Sequence, residues 1–534
     1  MKEILIVLGA GVMQGPAIRT ASEMGLYTVA VDADDKAPCV SLADRFEKID
    51  LKDKEGIAAL GLALQKEGPL GGIMTAGTDF SASVAWAAER LGLPGIPYEA
   101  ALNASDKERM RRRFSEAGLP SPAFIVLDAV PAAADLPGSY PLVVKPVDNM
   151  GGRGCRRASN FDELREAVGE ALRFSRSRRA IVEAYMEGPE FSADAIVYHG
   201  EITICGLADR HIFFPPCFIE MGHTMPTTLE PEKQEALLAV FRAGIRALGI
   251  AGAQSGGAAK GDLKLTSSGP MIGEIAARLS GGYMSGWTYP YASGVNPLRG
   301  AILAALGRKP EGLVPAKNWT SAERAFISIP GTVRSIQGRE DAGSLPHIKD
   351  IFMRAAAGGA VKFPENNVTK CGNVISAAPD RETAAAAAER AARSVLIRLE
   401  APDRETAEFL TETEGPGGPE RFPPDAFQIS PELRLFLAEL PPDGGTGGKH
   451  PAADIRILPF PEFQASGLRD YMGRTVEESL RAVRDLTGIP LPAAEKSPAN
   501  VSDNKVYLGR SFWAALIRGG YQGAAYVVDS LTAM

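Results

Sequence analysis

The amino-acid sequence predicts an α/β protein built from several domains. Residues 1–103 alternate short apolar runs with helix-like segments, which is typical of a parallel sheet wound in the Rossmann manner. Residues 140–200 and 258–276 carry strand patterns joined by tight turns, with fewer helices between them. Because a chain of 534 residues is too long for one hydrophobic core, we expect these segments to form separate domains.

Charge, cysteine and histidine patterns exclude several classes of function. The formal net charge of −7 gives no general attraction to nucleic acid or to an anionic membrane. The five cysteines include no C-x-x-C pair and the five histidines no H-x-x-x-H pair, so neither a disulfide framework nor a zinc centre is expected. Without a signal peptide or an apolar run long enough to cross a bilayer, we expect a cytoplasmic protein.

The stretch LGAGVMQGPAI, residues 8–18, is close to the glycine fingerprint of dinucleotide-binding enzymes. Gly9 and Gly11 follow an apolar strand, and Asp32 stands where that fingerprint has an acid for the ribose. Gln14 replaces the third glycine, whose role is to let the helix pack closely on the strand. The sequence therefore favours a Rossmann-like turn whose helix N-terminus can receive an anion over a nicotinamide site.

A lysine at a strand end and a glycine-rich turn form a candidate phosphate site. Lys145 ends the predicted strand YPLVVKP, and Gly151, Gly152 and Gly154 follow in the turn. Glycines let backbone N–H groups close over phosphate oxygens, while a lysine on a rigid strand neutralises their charge. The turn is not a Walker loop, because no Gly-Lys-Ser/Thr opens a helix there. A β-turn beside a surface lysine is the alternative.

Lys107 lies in the first turn of a predicted helix that begins at SDKERM, where Ser105 and Glu108 suggest a capping box. The helix dipole disfavours a cation at this position. The lysine therefore either meets an anion or points into water.

Two glutamates flank a short connector in VEAYMEGPEF, residues 182–191. An apolar strand runs into Glu183, and Glu190 begins the next strand. Backbone groups of such a connector can bind the edge of a purine, and a carboxylate can bind ribose hydroxyls.

The segment GDLKLTSSGPMIGEIAARLSGG, residues 261–282, predicts two strands joined by a tight turn. Asp262 and Glu274 then lie on neighbouring strands. Because alternate residues share one face of a strand, Glu274, Ala276 and Arg278 should point the same way. Two carboxylates and an arginine suit Mg²⁺ bound to phosphates, and a surface salt-bridge ladder is the alternative.

The order of Lys107, Lys145, GGRG, EAYM, Glu190, Asp262 and EIAAR resembles the ATP-grasp superfamily of carboxylate–amine ligases, in particular the amino-acid and dipeptide ligases. Biotin carboxylase and carbamoyl-phosphate synthase are of related type. The resemblance extends to about residue 400. With the composition of the remainder, it implies five regions: a Rossmann-like pre-ATP-grasp domain (1–103), an ATP-grasp core (104–300, small lobe about 104–186, large lobe from 187), a closing subdomain (301–400), a Pro/Gly-rich linker (401–460) and an extra C-terminal domain of unknown role (461–534).

The resemblance also implies a ligand for each candidate residue. The nucleotide-binding residues would be Lys107 and Lys145 on the phosphates, Gly151, Gly152 and Gly154 in the loop over the triphosphate, Glu183, Ala184, Tyr185 and Met186 in the adenine hinge, and Glu190 on the ribose. The remaining roles would fall to Asp262 and Glu274 as Mg²⁺ ligands and to Arg278, which would stabilise an acyl-phosphate intermediate and, with Lys145, act in catalysis.

Two positions depart from the family pattern. Ala276 stands where many members have asparagine, and Asp262 where they more often have glutamate. The chain would then hold one or two Mg²⁺ ions, with the second retained by extra water, bound weakly, or absent together with the activity.

The implied reaction converts a carboxylate to an acyl phosphate with Mg-ATP and joins it to an amine. Residues 206–229 would help to bind an amino-acid-like substrate through Arg210, Glu220 and His223, together with Arg278. The partners would be small molecules, with no nucleic acid and no membrane, and a homodimer stays open.

Three alternatives remain at this point. Carboxyphosphate chemistry, as in biotin carboxylase or carbamoyl-phosphate synthase, would use bicarbonate as the acid. A non-catalytic ATP-binding regulator would have a degraded metal site. A nicotinamide-dependent oxidoreductase rests only on residues 8–18.

Overall fold

A computed structural model of the protein describes residues 1–132, 139–411, 421–444, 448–492 and 505–532. The chain divides into two compact units, which are described separately. The first comprises Met1–Ile212, Gly222–Glu323 and Ile375–Ala385, and the second comprises Phe213–Met221, Arg324–Val374 and Ala386–Met534.

The N-terminal part of the first unit is an α/β layer with a parallel sheet in the order β3-β2-β1-β4. Both faces of the central strand β1 are buried, as expected for its uninterrupted apolar run ILIVL. The elements are β1 (Ile4–Leu8), α1 (Gly15–Glu23), β2 (Tyr27–Asp32), β3 (Arg45–Lys48), α2 (Lys54–Glu67), β4 (Leu70–Met74), α3 (Ser81–Leu91) and α4 (Tyr98–Ser105).

A second, antiparallel sheet follows in the order β5-β8-β6-β7. Its elements are α5 (Lys107–Glu116), β5 (Phe124–Leu127), β6 (Leu142–Pro146), β7 (Arg156–Ala158), α6 (Phe161–Phe174) and β8 (Ala180–Ala184). The predicted capping box of α5 is wrong: Ser105 is the last residue of α4, and Asp106 caps α5 by accepting a hydrogen bond from the Arg109 N–H. Aspartate is as good an N-cap as serine, and here it lies one residue closer to the helix.

Four strands of a third sheet lie in the order β13-β12-β9-β10. The predicted turn at His199 and Gly200 joins β9 to β10, and both residues have positive φ (47° and 84°), as a two-residue type I′ hairpin requires. Helix α7 buries Leu237, Phe241 and Ile245 in one core with strands of this sheet. The elements are β9 (Glu190–Tyr198), β10 (Glu201–Phe213), β11 (Ile219–Met225), α7 (Pro231–Ala247), β12 (Gly256–Thr266), β13 (Gly269–Ala276), α8 (Tyr289–Ser293) and α9 (Pro297–Ala305).

The alanine-rich helix before residue 400 is followed directly by a strand. It ends at Ser394, and Leu396–Leu399 forms a strand that pairs with β15, because LIRL alternates apolar and polar residues like a strand. The remaining elements are β14 (Thr320–Phe326), β15 (Gly331–Gln337), α10 (Arg339–Ser344), β16 (Ile348–Met353), β17 (Ala360–Val361), β18 (Gly372–Ala378), α11 (Arg381–Ser394), β19 (Leu396–Leu399), α12 (Arg404–Thr411), α13 (Pro431–Glu439), β20 (Ile455–Ile457), α14 (Pro461–Gln464), α15 (Val476–Thr487), β21 (Val506–Leu508) and α16 (Arg510–Leu531).

The C-terminal part of the second unit has one hydrophobic core that extends across residue 460. Phe427 and Phe460, which lie within the expected linker, pack with Phe463, Val483 and Trp513. Strand β20, which also lies within the expected linker, pairs with β21 of the expected terminal domain. Parts of the expected linker and terminal domain lie outside the described residues, at 412–420, 445–447, 493–504 and 533–534. Within the described segments, no helix combines the length and apolarity that a bilayer crossing requires.

Candidate nucleotide and metal site

Side chains of the protein occupy the glycine turn at the N-terminus. The Ala10 N–H donates to Asp32 Oδ2 at 2.8 Å, and the Gly11 N–H donates to Gln14 Oε1 at 3.1 Å. A Cβ on Gly9 would lie 2.9 Å from Gln14 Cδ, so the glutamine fills the space above the turn. Asp32 and the two N–H groups that a dinucleotide would use are therefore bonded within the protein, Asp32 to Ala10 and Gln14 to Gly11, which argues against the oxidoreductase alternative.

Polar residues form rows across β9 and β12. Lys260, Asp262 and Lys264 alternate along β12, and the register places them opposite Asp194, Ser192 and Glu190 of β9, respectively. Residues at alternate positions share one face of a sheet, so the three rows lie side by side. One face of this sheet is consequently charged.

Asp262 lies at the centre of these rows, directly opposite Glu274 on β13. Its Oδ1 accepts from Arg210 Nη1 at 2.9 Å and from Ser192 Oγ at 3.1 Å, and its Oδ2 is bonded to Lys260 Nζ. Burial alone would raise the pKa of Asp262, but Arg210 and Lys260 outweigh it and hold the pKa well below its usual range. Asp262 is therefore ionised at neutral pH.

Glu274 faces Lys107, whose Nζ lies 3.6 Å from Glu274 Oε2. Lys107 is buried and also donates to the Asn149 carbonyl at 2.7 Å. Burial opposes ionisation of Glu274, but Lys107 and Lys260 lower its pKa. Lys107 therefore does not point into solvent. It contacts a carboxylate and the residue Asn149, just before the glycine-rich turn.

Lys145 shares one carboxylate with a second cation. Its Nζ donates to Glu183 Oε2 at 2.8 Å, while Arg111 Nε donates to Glu183 Oε1 at 2.7 Å. The side chains of Glu183 and Arg111 are each 1% exposed. Despite the opposing effect of burial, Arg111 and Lys145 lower the pKa of Glu183 to about 2. The Glu183 side chain is therefore bound to two cations, and its backbone lies between β5 and β6 in the sheet.

The glycine-rich loop has the backbone freedom that its composition predicts. Gly151, Gly152 and Gly154 have φ values of 71°, 77° and 65°, a region in which other residues are strained. Asp148 fixes the base of the loop by accepting hydrogen bonds from Ser175 Oγ and from two N–H groups at residues 176 and 177, at 2.8–2.9 Å.

The expected hinge uses several of its own polar groups. The Ala184 N–H donates to the Ala123 carbonyl at 2.9 Å and the Tyr185 N–H to the Pro141 carbonyl at 3.3 Å. The Met186 carbonyl accepts from Lys264 Nζ at 2.8 Å.

Glu190, which follows the hinge, is also bonded to cations. It lies 3.0 Å from Lys264 Nζ and 3.4 Å from Arg210 Nη1. Lys264 therefore connects the hinge carbonyl to the expected ribose carboxylate.

Arg278 does not share a strand face with Glu274, because β13 ends at Ala276. Its Nε donates to the Thr78 carbonyl at 3.0 Å and its Nη1 to the Leu279 carbonyl at 3.1 Å. Burial raises the pKa of Asp79, which lies in the loop after β4, and the positive charges of Lys107, Arg176 and Arg278 only partly offset this.

The expected acceptor residues lie in different surroundings. His223 is fully buried, with Nε2 2.9 Å from Thr288 Oγ1 and Nδ1 3.3 Å from Glu323 Oε2. Glu220 belongs to the second unit, where its N–H donates to Asn367 Oδ1 at 2.8 Å. Arg210 forms ion pairs with the candidate residues Asp262 and Glu190.

The donors suit one magnesium ion better than two. Asp262 and Glu274 offer carboxylate oxygens from opposing strands, and Mg²⁺ on a nucleotide commonly uses one or two carboxylates with phosphate oxygens and water. The register places Ala276, which has no oxygen donor in its side chain, opposite Lys260. Among the described residues, no three His, Cys, Asp or Glu side chains are grouped as metal ligands.

Sequence reasoning missed four charged residues here: Arg111, Asp194, Lys260 and Lys264. Arg111 lies one helical turn after Lys107, and the i, i+4 spacing could have revealed it. The period of two that was applied to Glu274 would also have placed Lys260 and Lys264 beside Asp262. Asp194 lies in the apolar run FSADAIVY and gave no comparable signal.

Comparisons with known protein families match two ranges of the chain. An ATP-grasp domain model matches residues 138–285, and a model described as L-amino acid ligase C-terminal domain 2 matches residues 325–400. Among solved structures, the L-amino acid ligase from Bacillus licheniformis is 23% identical, with a TM-score of 0.65, and the match covers 75% of this chain and all of that one. The biotin carboxylase from Campylobacter jejuni is 19% identical, with a TM-score of 0.57 and 74% and 92% of the two chains covered.

Curated relatives give the same picture. Carnosine synthase 1 from Gallus gallus is 26% identical over 408 residues, which cover 70% of this chain but only 43% of that protein. An uncharacterised protein of Sinorhizobium fredii is 24% identical over 389 residues, 71% of this chain and 79% of its own length. The α/β fold class and the predicted family are confirmed. The chain contains an ATP-grasp domain and is related to L-amino acid ligase and carnosine synthase.

Proposed function

We propose that the protein is an ATP-dependent ligase that activates an amino-acid-like carboxylate as an acyl phosphate and joins it to an amine. The observation that carries this proposal is the pairing of Asp262 with Glu274, with Lys260 bonded to Asp262 and Lys107 beside Glu274. Phosphoryl transfer needs positioned charge more than a protein nucleophile. Carboxylates for a metal and lysines for phosphates supply such charge.

The candidate phosphate-binding residues come first in this proposal. Lys107 and Lys145 bind the ATP phosphates under the loop of Gly151, Gly152 and Gly154. Lysine ammonium groups inside a largely buried site act strongly on phosphate oxygens, because little water screens them.

The hinge from Glu183 to Met186 contributes backbone groups to the adenine, and Glu190 binds the ribose. Lys264, which donates to the Met186 carbonyl and lies 3.0 Å from Glu190, holds these two parts of the nucleotide site together.

Asp262 and Glu274 would hold magnesium. When bound, the ion neutralises phosphate oxygens, and the two carboxylates orient it against the lysines. A third oxygen ligand, which the Ala276 side chain cannot provide, would come from water.

Arg278 stabilises the acyl phosphate in this proposal. The substrate carboxylate attacks the γ-phosphate and ADP leaves, after which the amine attacks the acyl carbon and phosphate leaves. The hydrogen bonds to the Thr78 and Leu279 carbonyls fix the Arg278 guanidinium, so that it needs little reorganisation as charge develops.

The substrate class is inferred from the relatives. L-amino acid ligase, carnosine synthase and D-alanine–D-alanine ligase all appear among the matches, the last from Marinobacter nauticus at 34% identity over 131 residues. Bicarbonate is the acid of the competing proposal, since a biotin carboxylase domain from Hydrogenobacter thermophilus was solved with MgADP and bicarbonate.

An ADP-release assay with Mg-ATP and pooled amino acids, with and without bicarbonate, tests the proposal. We expect ADP release that depends on amino acids and not on bicarbonate. Release that depends on bicarbonate would favour carboxyphosphate chemistry, and ATP binding without release under either condition would favour a regulator.

A further inference from the structure

We propose that Arg111 is a positioning residue of the nucleotide site, which keeps the charge of Lys145 available to phosphate and holds the strand that carries Glu274. The proposal rests on the proposed function, since it assigns Lys145 to the nucleotide. Arg111 itself does not contact the nucleotide in this account.

Arg111 connects three elements of the first unit. It lies on α5, four residues after Lys107, and its side chain is 1% exposed. Nε donates to Glu183 on β8, and Nη2 donates to the Gly273 carbonyl on β13 at 2.5 Å. Its Nη1 is buried without a hydrogen-bond partner among the described residues. Burying a guanidinium costs free energy unless ion pairs and hydrogen bonds compensate the loss of water.

The first consequence concerns charge. Glu183 alone would neutralise Lys145 and retain it in a closed ion pair, leaving no net attraction for a phosphate. With Arg111 on the other carboxylate oxygen, the three side chains together carry one net positive charge. In a site with little water, an uncompensated cation of this kind attracts an anion.

The second consequence concerns geometry. The register of β12 and β13 shifts between Asp262 and Leu263, so that Gly273 is left over as a bulge just before Glu274. A Cβ on Gly273 would lie 2.9 Å from the Asp262 carbonyl oxygen, and the backbone is therefore tightly packed there. Arg111 binds the carbonyl of this bulge and so fixes the register that sets Glu274 opposite Asp262.

Binding of ADP to the full-length protein in the presence of Mg²⁺, measured by calorimetry, tests the charge argument. We expect Arg111→Met to weaken binding about tenfold to a hundredfold, the range set by one charge-assisted hydrogen bond. Adding Glu183→Gln to this variant removes the carboxylate that neutralises Lys145. The double variant should therefore recover at least part of the lost ADP affinity. If the two substitutions only damaged the fold, their losses of affinity would add instead.

Two further variants complete the experiment. Arg112→Met removes the same side chain from the exposed face of α5, where Arg112 is 64% exposed, and should bind ADP like the parent. Arg111→Lys keeps the charge and should retain most of the affinity. If Arg111→Met does not fold, ADP binding by the double variant decides, because that variant leaves Lys145 without the carboxylate that neutralises it.

Two results would overturn the inference: parental affinity in Arg111→Met, or a double variant that binds more weakly than Arg111→Met. Failure of the parent protein to bind ADP at all would instead contradict the proposed function.

Discussion

Asp262 and Glu274 lie directly opposite each other on β12 and β13, with a lysine beside each carboxylate: Lys260 on Asp262 and Lys107 on Glu274. Each acid is thus ionised within a largely buried site. A metal ion bound by the two carboxylates would replace part of their contacts with the lysines. The site predictions below depend on this arrangement.

Glu274→Gln should reduce ADP release about 100-fold or more, because a carboxamide keeps the shape of the side chain but loses the charge that a metal needs. Steady-state assays with saturating Mg-ATP measure the effect. Glu235→Gln, at a side chain that is 67% exposed on α7, is the matched control and should retain parental turnover. Near-normal activity of Glu274→Gln would remove Glu274 from the metal site.

We expect Ala276 and Lys260 to determine how many metal ions the site binds. In the presence of ADP, we expect the parent protein to bind one Mn²⁺ ion tightly, as counted by electron paramagnetic resonance. The double variant Ala276→Asn with Lys260→Met adds an oxygen donor and removes the ammonium group opposite it, and should bind a second ion. Two tight ions in the parent would contradict this expectation.

Asp194 should produce an unusual dependence of stability on pH. Burial raises its pKa to about 6, although Ser280 donates two hydrogen bonds to its carboxylate. Between pH 4 and 6 the folded protein then binds more protons at this group than the unfolded chain does, so stability falls as pH rises through this range. The loss is complete about one pH unit above this pKa, and it amounts to about 1.4 kcal/mol for each unit of pKa shift.

Asp194→Asn cannot lose a proton and should lack this component. Thermal unfolding at pH 4.5 and pH 7.5 should therefore show that the variant gains stability relative to the parent at the higher pH. A difference between variant and parent that does not change with pH would show that the carboxyl group titrates normally.

Phe363 lies at the centre of an aromatic cluster in the second unit. Its ring centroid is 5.1 Å from that of Phe214, 5.5 Å from that of Tyr471 and 5.7 Å from that of Phe422. Phe363→Ala should therefore destabilise the protein by about 3–5 kcal/mol. Phe213→Ala, at a residue that is 52% exposed, should change stability little. Equal unfolding midpoints for the two variants in calorimetry would contradict this packing.

The hairpin of Asp262 and Glu274 could be predicted from the sequence because two local signals agree, a period of two and a turn at Ser267 and Ser268. The same pattern predicted that the strand continues to Arg278, but β13 ends at Ala276, because a strand end is set by partner strands, which the local pattern does not contain. The pairing of Arg111 with Glu183 spans 72 residues, so no local spacing could predict it.

The core that joins Phe427 and Phe460 to Trp513 was missed for a different reason. Proline and glycine are typical of linkers, but they also occur in compact segments whose few apolar residues are buried by distant helices. Composition therefore predicted a linker where part of the chain is folded.

Transfer of ¹⁸O from the substrate carboxylate to phosphate tests the central claim most directly. An amino acid labelled in its carboxylate is incubated with Mg-ATP and an unlabelled amine donor, and the released phosphate is analysed by mass spectrometry. If an acyl phosphate forms, one carboxylate oxygen becomes its bridging oxygen and leaves with the phosphate when the amine attacks the acyl carbon. We predict one ¹⁸O atom in each phosphate formed with the product. Product formation with unlabelled phosphate would contradict activation of the carboxylate as an acyl phosphate.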